Sequence, residues 1–215
     1  MAIKQAEILT DQQFSKLLTT VTASSKRPMI DKLAFLFSFK AGLRVQEIAG
    51  LRWKENILDA GGNIRFREEL VPGSKGRVKR VDRHILFIGS DIGKYGNART
   101  IVMHDVLVEA LREALAAGVD SDWVIPSGKN GADQGLKPRA HALKMRINRT
   151  YKAMGFDKCS SHSGRRTFIT KGAQRASLVG CSLKDVQMLA GHRDLTTTER
   201  YIEVGPSQAD LVALL

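Results

Sequence analysis

The sequence has few cysteines, no long apolar run and no repeated segment. Its two cysteines, Cys159 and Cys181, are too few for a framework of several disulfide bonds, and we expect both to be reduced thiols. No run of about 18 apolar residues occurs, so the sequence predicts no membrane-spanning helix. The N-terminal segment MAIKQAEILTDQQ also lacks the apolar core of a signal peptide. We therefore expect a cytoplasmic protein, and neither a repeat array nor a low-complexity chain.

Acidic residues are also scarce relative to basic ones. The 215 residues include 34 Lys and Arg against 22 Asp and Glu, which gives a net charge of +12 and a pI of about 10.0. This balance favours a polyanionic partner, with nucleic acid first and an anionic membrane surface second. A merely soluble basic protein is the alternative. Hydrophobic residues make up 43% of the chain, enough for the core of one domain or of one domain with a small appendage.

A zinc site is one possible use of the few cysteines. Cys159 precedes His162 by three positions, and Cys181 precedes His192 by eleven, so two Cys and two His are present. This spacing matches no compact zinc module. We therefore expect no metal site here.

Apolar periodicity and capping residues predict a largely helical chain. Two helices are predicted to start at capping boxes, Thr10–Gln13 and Ser182–Asp185. The other predicted helices are Ile30–Lys40, Val45–Leu51, His104–Ala117, Pro138–Gly155, His162–Arg175 and Thr196–Ile202. The predicted β region is Trp53–Met103, with strand character at Ile64–Phe66, His84–Ile88 and Arg99–Met103 and a basic loop at Gly73–Arg83. Gly42 and Gly191 are predicted helix stops.

Arg44 stands in a turn between two predicted helices, directly after the Gly42 stop. A charged side chain in such a turn is held rigidly, which suits a clamp on a phosphate group. The alternative is a structural arginine that pairs with Glu47 three positions on, and both roles are compatible because Glu47 could orient Arg44.

The stretch Ser161–Tyr201 holds the densest set of residues with chemical potential. His162 and Arg165 form a His-x-x-Arg pair, His192 follows a glycine, and Tyr201 comes nine positions later. Tyrosine supplies an oxygen nucleophile, arginine a planar fork for phosphate oxygens, and histidine can move protons near neutral pH. Together these residue types suit attack on a phosphodiester without metal. A structural tyrosine is the alternative for Tyr201 taken alone.

Taken in order, these motifs resemble those of the tyrosine recombinases, the phage-integrase-type site-specific recombinases. The matching residues are Arg44 in Gly-Leu-Arg, Lys94 in Gly-Lys-x-Gly-Asn-x-Arg, His162 with Arg165, His192 in Gly-His, and Tyr201. The resemblance runs from about Leu9 to Tyr201. It implies a mixed α+β fold that is mostly α-helical, with a small antiparallel β-sheet on one side. It also implies a catalytic domain at 1–204 and a tail helix at 205–215, which docks on its own core or on a neighbouring subunit.

The resemblance implies donors for the charge that develops on the phosphate during cleavage. Arg44 and Arg165 would supply bidentate hydrogen bonds and His192 a further one, with Glu47 in support. Because the arginines balance the charge, neither metal nor cofactor is implied.

The resemblance also implies the proton transfers. Tyr201 would attack in line to form a 3′-phosphotyrosyl bond and release a 5′-hydroxyl, with His162 assisting the loss of its proton. Lys94, on a hairpin turn, would protonate the leaving 5′-oxygen. Lys75 and Lys79, in the basic loop, compete with Lys94 for this assignment.

The implied partner is double-stranded DNA, with a homo-oligomer forming on it through the C-terminal tail. Candidate DNA contacts are Lys75, Lys79, Arg146, Arg149 and Lys152. The last three follow one another at spacings of three on one predicted helix, where a basic stripe either tracks a DNA backbone or is a plain solvated face.

One departure from the family pattern stands out. Most members carry an N-terminal helical domain that closes around DNA, and we expect no such domain in the short stretch before Leu9. The chain is then either a fragment or a minimal natural protein. We therefore expect weaker, more salt-sensitive DNA binding. Two alternatives to a recombinase remain open: a type IB topoisomerase-like enzyme that only cleaves and reseals, and a non-catalytic DNA-binding module that kept the fold.

Overall fold

The computed structural model describes residues 6–72, 77–118, 120–127 and 135–201. Its helices are α1 (Asp11–Ser24), α2 (Pro28–Lys40), α3 (Val45–Gly50), α4 (Asp105–Ala116), α5 (Leu136–Ala153), α6 (Ser163–Arg175), α7 (Leu183–Ala190) and α8 (Leu195–Glu199). The strands are β1 (Phe66–Pro72), β2 (Val78–Ile88) and β3 (Arg99–Val102). The chain forms two compact units, and the boundary between them falls inside α6, after Phe168.

Helix α2 forms the centre of the first unit. It is apolar almost all round, and its Leu33, Leu36 and Phe37 are fully buried, as expected of a helix with no polar face. Helices α1, α3 and α4 pack against it. The rings of Phe14 in α1 and Phe39 in α2 stack with their centroids 4.3 Å apart. Each such side chain contributes about 1.5–3 kcal/mol on burial, so the burial of α2 stabilises the first unit.

Local signals for helix ends are confirmed. Thr10 caps α1 through its side chain, with Gln13 bonding back to the Thr10 backbone. Gly42 ends α2 with a φ of +64°, and a Cβ there would lie 2.3 Å from Phe168 Cδ1. Glycine is therefore required at this position twice over, by conformation and by space. The turn that follows carries Arg44.

The sheet has the order β1-β2-β3, and both pairings are antiparallel. Leu86 and Ile88 of β2 and Ile101 of β3 are buried, so the inner end of the sheet belongs to the core. The predicted strand at His84–Ile88 is thus only the inner part of β2.

Three parts of the predicted β region are wrong. The predicted strand Ile64–Phe66 shares only Phe66 with β1, and Ile64 forms an isolated bridge with Leu58. In the predicted basic loop Gly73–Arg83, the residues from Val78 onward are strand, since β2 begins at Val78 and pairs with β1. This outer ribbon is exposed, so it lacks the apolar alternation by which a strand is recognised. The region also does not begin at Trp53, because Trp53–Ile57 forms one π-helical turn. Asn56 fixes this turn by accepting a hydrogen bond from the Arg52 N–H and donating another to a carbonyl of β2.

The second unit contains the end of α6, α7 and α8. Ser182 and Asp185 form the expected capping box of α7, and Gly191 ends that helix with a φ of +62°. Helix α8 ends at Glu199, so Tyr201 follows the helix instead of lying within it as predicted. The predicted tail helix at 205–215 lies outside the described residues. None of the described helices is long and apolar enough to cross a membrane.

Candidate active site

A buried carboxylate organises the turn that carries Arg44. Glu47 is fully buried and accepts four hydrogen bonds. Two come from Arg44, through its backbone N–H at 2.8 Å and its Nη1 at 3.1 Å. The other two come from Arg99, whose Nη1 and Nη2 lie 2.8 and 3.0 Å from the two carboxylate oxygens. The expected pairing of Arg44 with Glu47 is therefore present, and Arg99 joins it.

The charge state of Glu47 follows from these partners. Burial raises the pKa of its carboxyl, but the hydrogen bonds and charges of Arg99 and Arg44 outweigh burial and hold that pKa below its ordinary value. One negative charge therefore faces two positive ones, and the cluster keeps an excess positive charge. Such an excess attracts an anion.

Arg165 lies against the same turn. Its buried guanidinium donates a hydrogen bond from Nη1 to the Gly42 carbonyl over 2.5 Å. The loop before α6 is fixed at two points, since the Ser160 N–H bonds to Ser163 Oγ at 3.0 Å and the Ser161 N–H bonds to Asn148 Oδ1 at 2.8 Å. Helix α6 therefore begins at a defined place.

His162 immediately precedes α6 and is exposed. Partial burial, followed by the positive charges of Lys144, Arg165 and Arg44, holds the pKa of its imidazole below its ordinary value. This shift favours the neutral ring, which is able to accept a proton. The predicted adjacency of His162 and Arg165 agrees with this electrostatic coupling.

Lys94 lies in the connection between β2 and β3, the position expected from its motif. It is exposed and begins a single 3₁₀ turn, Lys94–Gly96. Its Nζ lies 4.7 Å from the centre of the Tyr95 ring. Tyr95 has a φ of +61°, in the left-handed region that non-glycine residues rarely adopt.

The second unit holds His192 and Tyr201 together. Their rings stack with centroids 5.5 Å apart and an angle of 25° between the planes. His192 is buried, and its Nδ1 lies 2.9 Å from Oγ1 of the fully buried Thr198. The hydroxyl of Thr170 donates to the Tyr201 carbonyl at 3.2 Å. These contacts fix the orientation of the His192 ring and the start of the segment after α8.

The candidate DNA contacts do not share one environment. Arg146 is partly buried, and its Nε lies 2.8 Å from Asp31 Oδ1. Burial lowers the pKa of Arg146, although the charge of Asp31 opposes this. Arg149, Lys152 and Lys79 are exposed, and Lys79 lies on β2. Lys75 lies outside the described residues. The structure therefore divides the predicted stripe on α5 into a structural arginine and two exposed cations.

Metal-ligating side chains do not cluster in the described part of the chain. Within it, no group of three or more His, Cys, Asp or Glu residues could hold a metal ion. Both cysteines are free thiols, with Cys159 partly buried and Cys181 exposed.

Sequence reasoning missed Arg99, Asn148 and Thr198. Arg99 is the last residue of the Gly-Lys-x-Gly-Asn-x-Arg motif that contains Lys94, and its place in that motif could have identified it. Asn148 and Thr198 act through one hydrogen bond each, to Ser161 and His192. No sequence pattern distinguishes them from ordinary polar residues on a helix.

Comparisons with known proteins cover nearly the whole chain. The model of the phage integrase family matches residues 7–208. Tyrosine recombinase XerD of Neisseria meningitidis serogroup A is 29% identical over 198 residues, or 92% of this chain and 58% of that protein. XerD of Haemophilus influenzae is 28% identical over 196 residues, or 91% of this chain and 57% of that protein. The chain thus spans little more than half the length of these curated relatives.

Solved structures show the same fold. The Tn1549 transposon integrase, in complex with a circular intermediate DNA, matches with a TM-score of 0.63 at 18% identity, over 99% of this chain and 66% of that chain. XerA recombinase matches with a TM-score of 0.63 at 19% identity, over 97% of this chain and 64% of that chain. The expected fold, mostly helical with a small antiparallel sheet, is confirmed.

Proposed function

The chain belongs to the phage integrase family of tyrosine recombinases, and on that premise we propose that it cleaves and rejoins DNA strands as the catalytic domain of a site-specific recombinase. The observation that carries the proposal is the anchoring of two arginines on one turn. Arg44 is held by Glu47, and Arg165 is held by the carbonyl of Gly42, two residues before Arg44. Planar guanidinium groups fixed in this way are suited to phosphate oxygens.

Phosphodiester cleavage passes through a state with five oxygens around phosphorus and extra charge on the non-bridging ones. Hydrogen-bond donors already aimed at that charge lower the barrier, and losing one such donor costs on the order of 10²–10³ in rate. We assign this role to Arg44, Arg165 and His192. The excess positive charge around Glu47 supports the assignment of Arg44, which shares that carboxylate with Arg99.

Tyr201 is the proposed nucleophile. Its oxygen forms a bond to phosphorus while the bond from phosphorus to the 5′-oxygen breaks, which leaves a 3′-phosphotyrosyl intermediate. The tyrosine proton passes to His162, and the 5′-oxygen takes a proton from Lys94. The lowered pKa of His162 supports its part, because a neutral imidazole can accept the proton. Religation reverses these transfers, so no external energy source is needed.

Double-stranded DNA is the proposed substrate, acted on inside the cell. The net charge of +12 supports a polyanionic partner, and the Tn1549 integrase is described in complex with DNA. Arg149, Lys152 and Lys79 are the exposed cations that we assign to the DNA backbone. Assembly on DNA through the C-terminal tail remains a prediction about residues outside the described part.

A covalent-trapping assay tests the proposal. Nicked duplexes from a pooled random library let a short cleaved strand diffuse away, so an attached strand stays on the protein and appears on a denaturing gel. We expect an adduct that persists in the presence of a chelator. Salt-sensitive DNA binding without any adduct would instead favour a binding module. Relaxation of supercoiled plasmid without strand exchange would favour a topoisomerase-like activity.

A further inference from the structure

We propose that Arg99 and Ile92 are positioning residues that fix the β2–β3 connection, and with it Lys94, onto helix α3. This inference rests on the proposed function only where it assigns a catalytic use to Lys94. Its structural part, a connection anchored on α3 at both ends, is separate and has its own test.

Arg99 is the anchor on the side of β3. It is the first residue of that strand and pairs with Ile88 of β2. Its side chain is 11% exposed and makes a bidentate ion pair with Glu47, whose side chain is 1% exposed. Bidentate geometry fixes both distance and orientation. Because Glu47 lies in α3, the strand that leaves the connection is fastened to this helix.

Ile92 is the anchor on the side of β2. It is buried, with 4% of its surface exposed. A Cβ at Gly50, the last residue of α3, would lie only 2.4 Å from Ile92 Cγ2. Glycine at position 50 therefore lets the isoleucine reach the backbone of α3 at its far end.

The segment between the anchors has a defined shape of its own. The Gly93 N–H bonds to the Gly89 carbonyl at 2.9 Å, and the Gly96 N–H bonds to the Gly93 carbonyl at 3.1 Å. A Cβ at Gly93 would lie 2.2 Å from the Asn97 carbonyl oxygen, so the turn has no space for a side chain at position 93. A turn tied internally and fastened at both ends moves as one body with α3.

Helix α3 thereby becomes the common support of two functional side chains. Arg44 caps its N-terminus, and Glu47 in its first turn holds both Arg44 and Arg99. Arg44 of the proposed phosphate clamp and the proposed proton donor are thus supported by the same six-residue helix. Displacing a catalytic group by about 1 Å can cost on the order of 10²-fold in rate, so loosening either anchor should act on Lys94.

The leaving group provides the functional test. Two otherwise identical duplexes carry either oxygen or sulfur at the 5′-bridging position of the cleaved phosphate, in a site selected from the trapped library. A thiolate leaves without being protonated, since free thiols have a pKa near 8.5, so the sulfur duplex does not need a proton donor. We expect Arg99→Met to slow cleavage of the oxygen duplex by on the order of 10²-fold. We expect it to leave the sulfur duplex within a few-fold of the unaltered protein, and we expect the same of Lys94→Ala.

The outcomes separate the possible roles of Arg99. Equal slowing on both duplexes would mean that Arg99 acts through the phosphate clamp, and would overturn the proposal. Unchanged cleavage of the oxygen duplex by Arg99→Met would overturn it as well. Arg83→Met is the matched control, because Arg83 lies on β2 in an exposed ion pair with Glu69. Melting curves establish that each variant folds.

Amide hydrogen exchange tests the anchoring without any activity. We expect Arg99→Met and Gly50→Ala each to raise exchange at Gly93 and Gly96 by at least tenfold, with helix α4 unchanged. Unaltered exchange at both amides would overturn the anchoring, whether or not the protein cleaves DNA. If the unaltered protein forms no adduct while exchange rises as expected, the proposed function fails and the anchoring stands.

Discussion

Arg165 donates a hydrogen bond to the carbonyl of Gly42, a residue 123 positions earlier in the chain, over 2.5 Å. This bond links the His-x-x-Arg motif to the Gly-Leu-Arg turn, so the two arginines of the proposed phosphate clamp share one support. The guanidinium is buried, and its planar fork carries several N–H donors in fixed directions.

Arg165→Lys tests the need for that fork. Lysine keeps the charge but is a point donor without bidentate geometry, so we expect adduct formation to fall by on the order of 10²–10³. Single-turnover trapping on a nicked duplex measures the rate. Arg175→Lys, at the exposed end of the same helix, is the control and should leave the rate unchanged. An Arg165→Lys protein of unaltered rate would remove Arg165 from the clamp.

Glu47→Gln tests the buried carboxylate. The change leaves Arg44 and Arg99 without their counter-charge, and breaking a buried ion pair typically costs about 3–5 kcal/mol. Urea unfolding measures the loss. Glu55→Gln is the control, because Glu55 forms an exposed pair with Arg52 and such pairs contribute about 0–1 kcal/mol. Similar losses in the two variants would show that Glu47 is not a structural centre.

His162 should impose a pH dependence on cleavage. The folded-state pKa of His162 is depressed, so the neutral ring is favoured. The contribution of His162 to folding stability is therefore present above the ordinary pKa of about 6.5 and is lost as pH falls through the folded-state pKa. We expect cleavage to rise with pH and to level off, with a midpoint below about 6.5. His162→Ala should remove this inflection. Were the inflection to persist in His162→Ala, another group would be the proton acceptor.

Thr198→Val should disturb His192 without changing the shape of the core. Valine matches threonine in size but cannot bond to Nδ1, so the imidazole loses its fixed orientation. One hydrogen bond of this kind contributes about 0.5–1.5 kcal/mol, and we expect cleavage to slow by roughly 3- to 10-fold. Thr196→Val, on the exposed face of the same helix, is the control. DNA binding, measured by fluorescence anisotropy, should be unaffected in both.

Local signals predicted much of the fold. The capping residues Thr10 and Ser182, and the helix stops Gly42 and Gly191, act within a few residues of themselves, so each was visible in the sequence and is present in the structure. The outer part of β2 was missed because it is exposed and depends on its partner strand. A strand of that kind carries no apolar period of its own.

The candidate site divides in the same way. His162 and Arg165 are three positions apart, and spacing alone indicated that they would be neighbours. The pairing of Arg99 with Glu47 spans 52 positions and joins a strand to a helix, so no local period encodes it. The predicted basic stripe on α5 does not hold for Arg146, because this side chain forms a partly buried ion pair with Asp31.

The central claim is that Tyr201 becomes covalently bonded to DNA. The chain has three tyrosines, and burial strongly raises the pKa of Tyr151, which makes it a poor nucleophile. Tyr95 is 75% exposed, so Tyr95→Phe is the control for Tyr201→Phe.

The most direct measurement is mass spectrometry of the trapped adduct after digestion with trypsin and a nuclease. We expect nucleotides attached through a 3′-phosphate to the tryptic peptide that begins at Tyr201. We also expect the adduct to be lost in Tyr201→Phe and kept in Tyr95→Phe. An adduct that maps to another residue, or one that forms undiminished in Tyr201→Phe, would contradict the account.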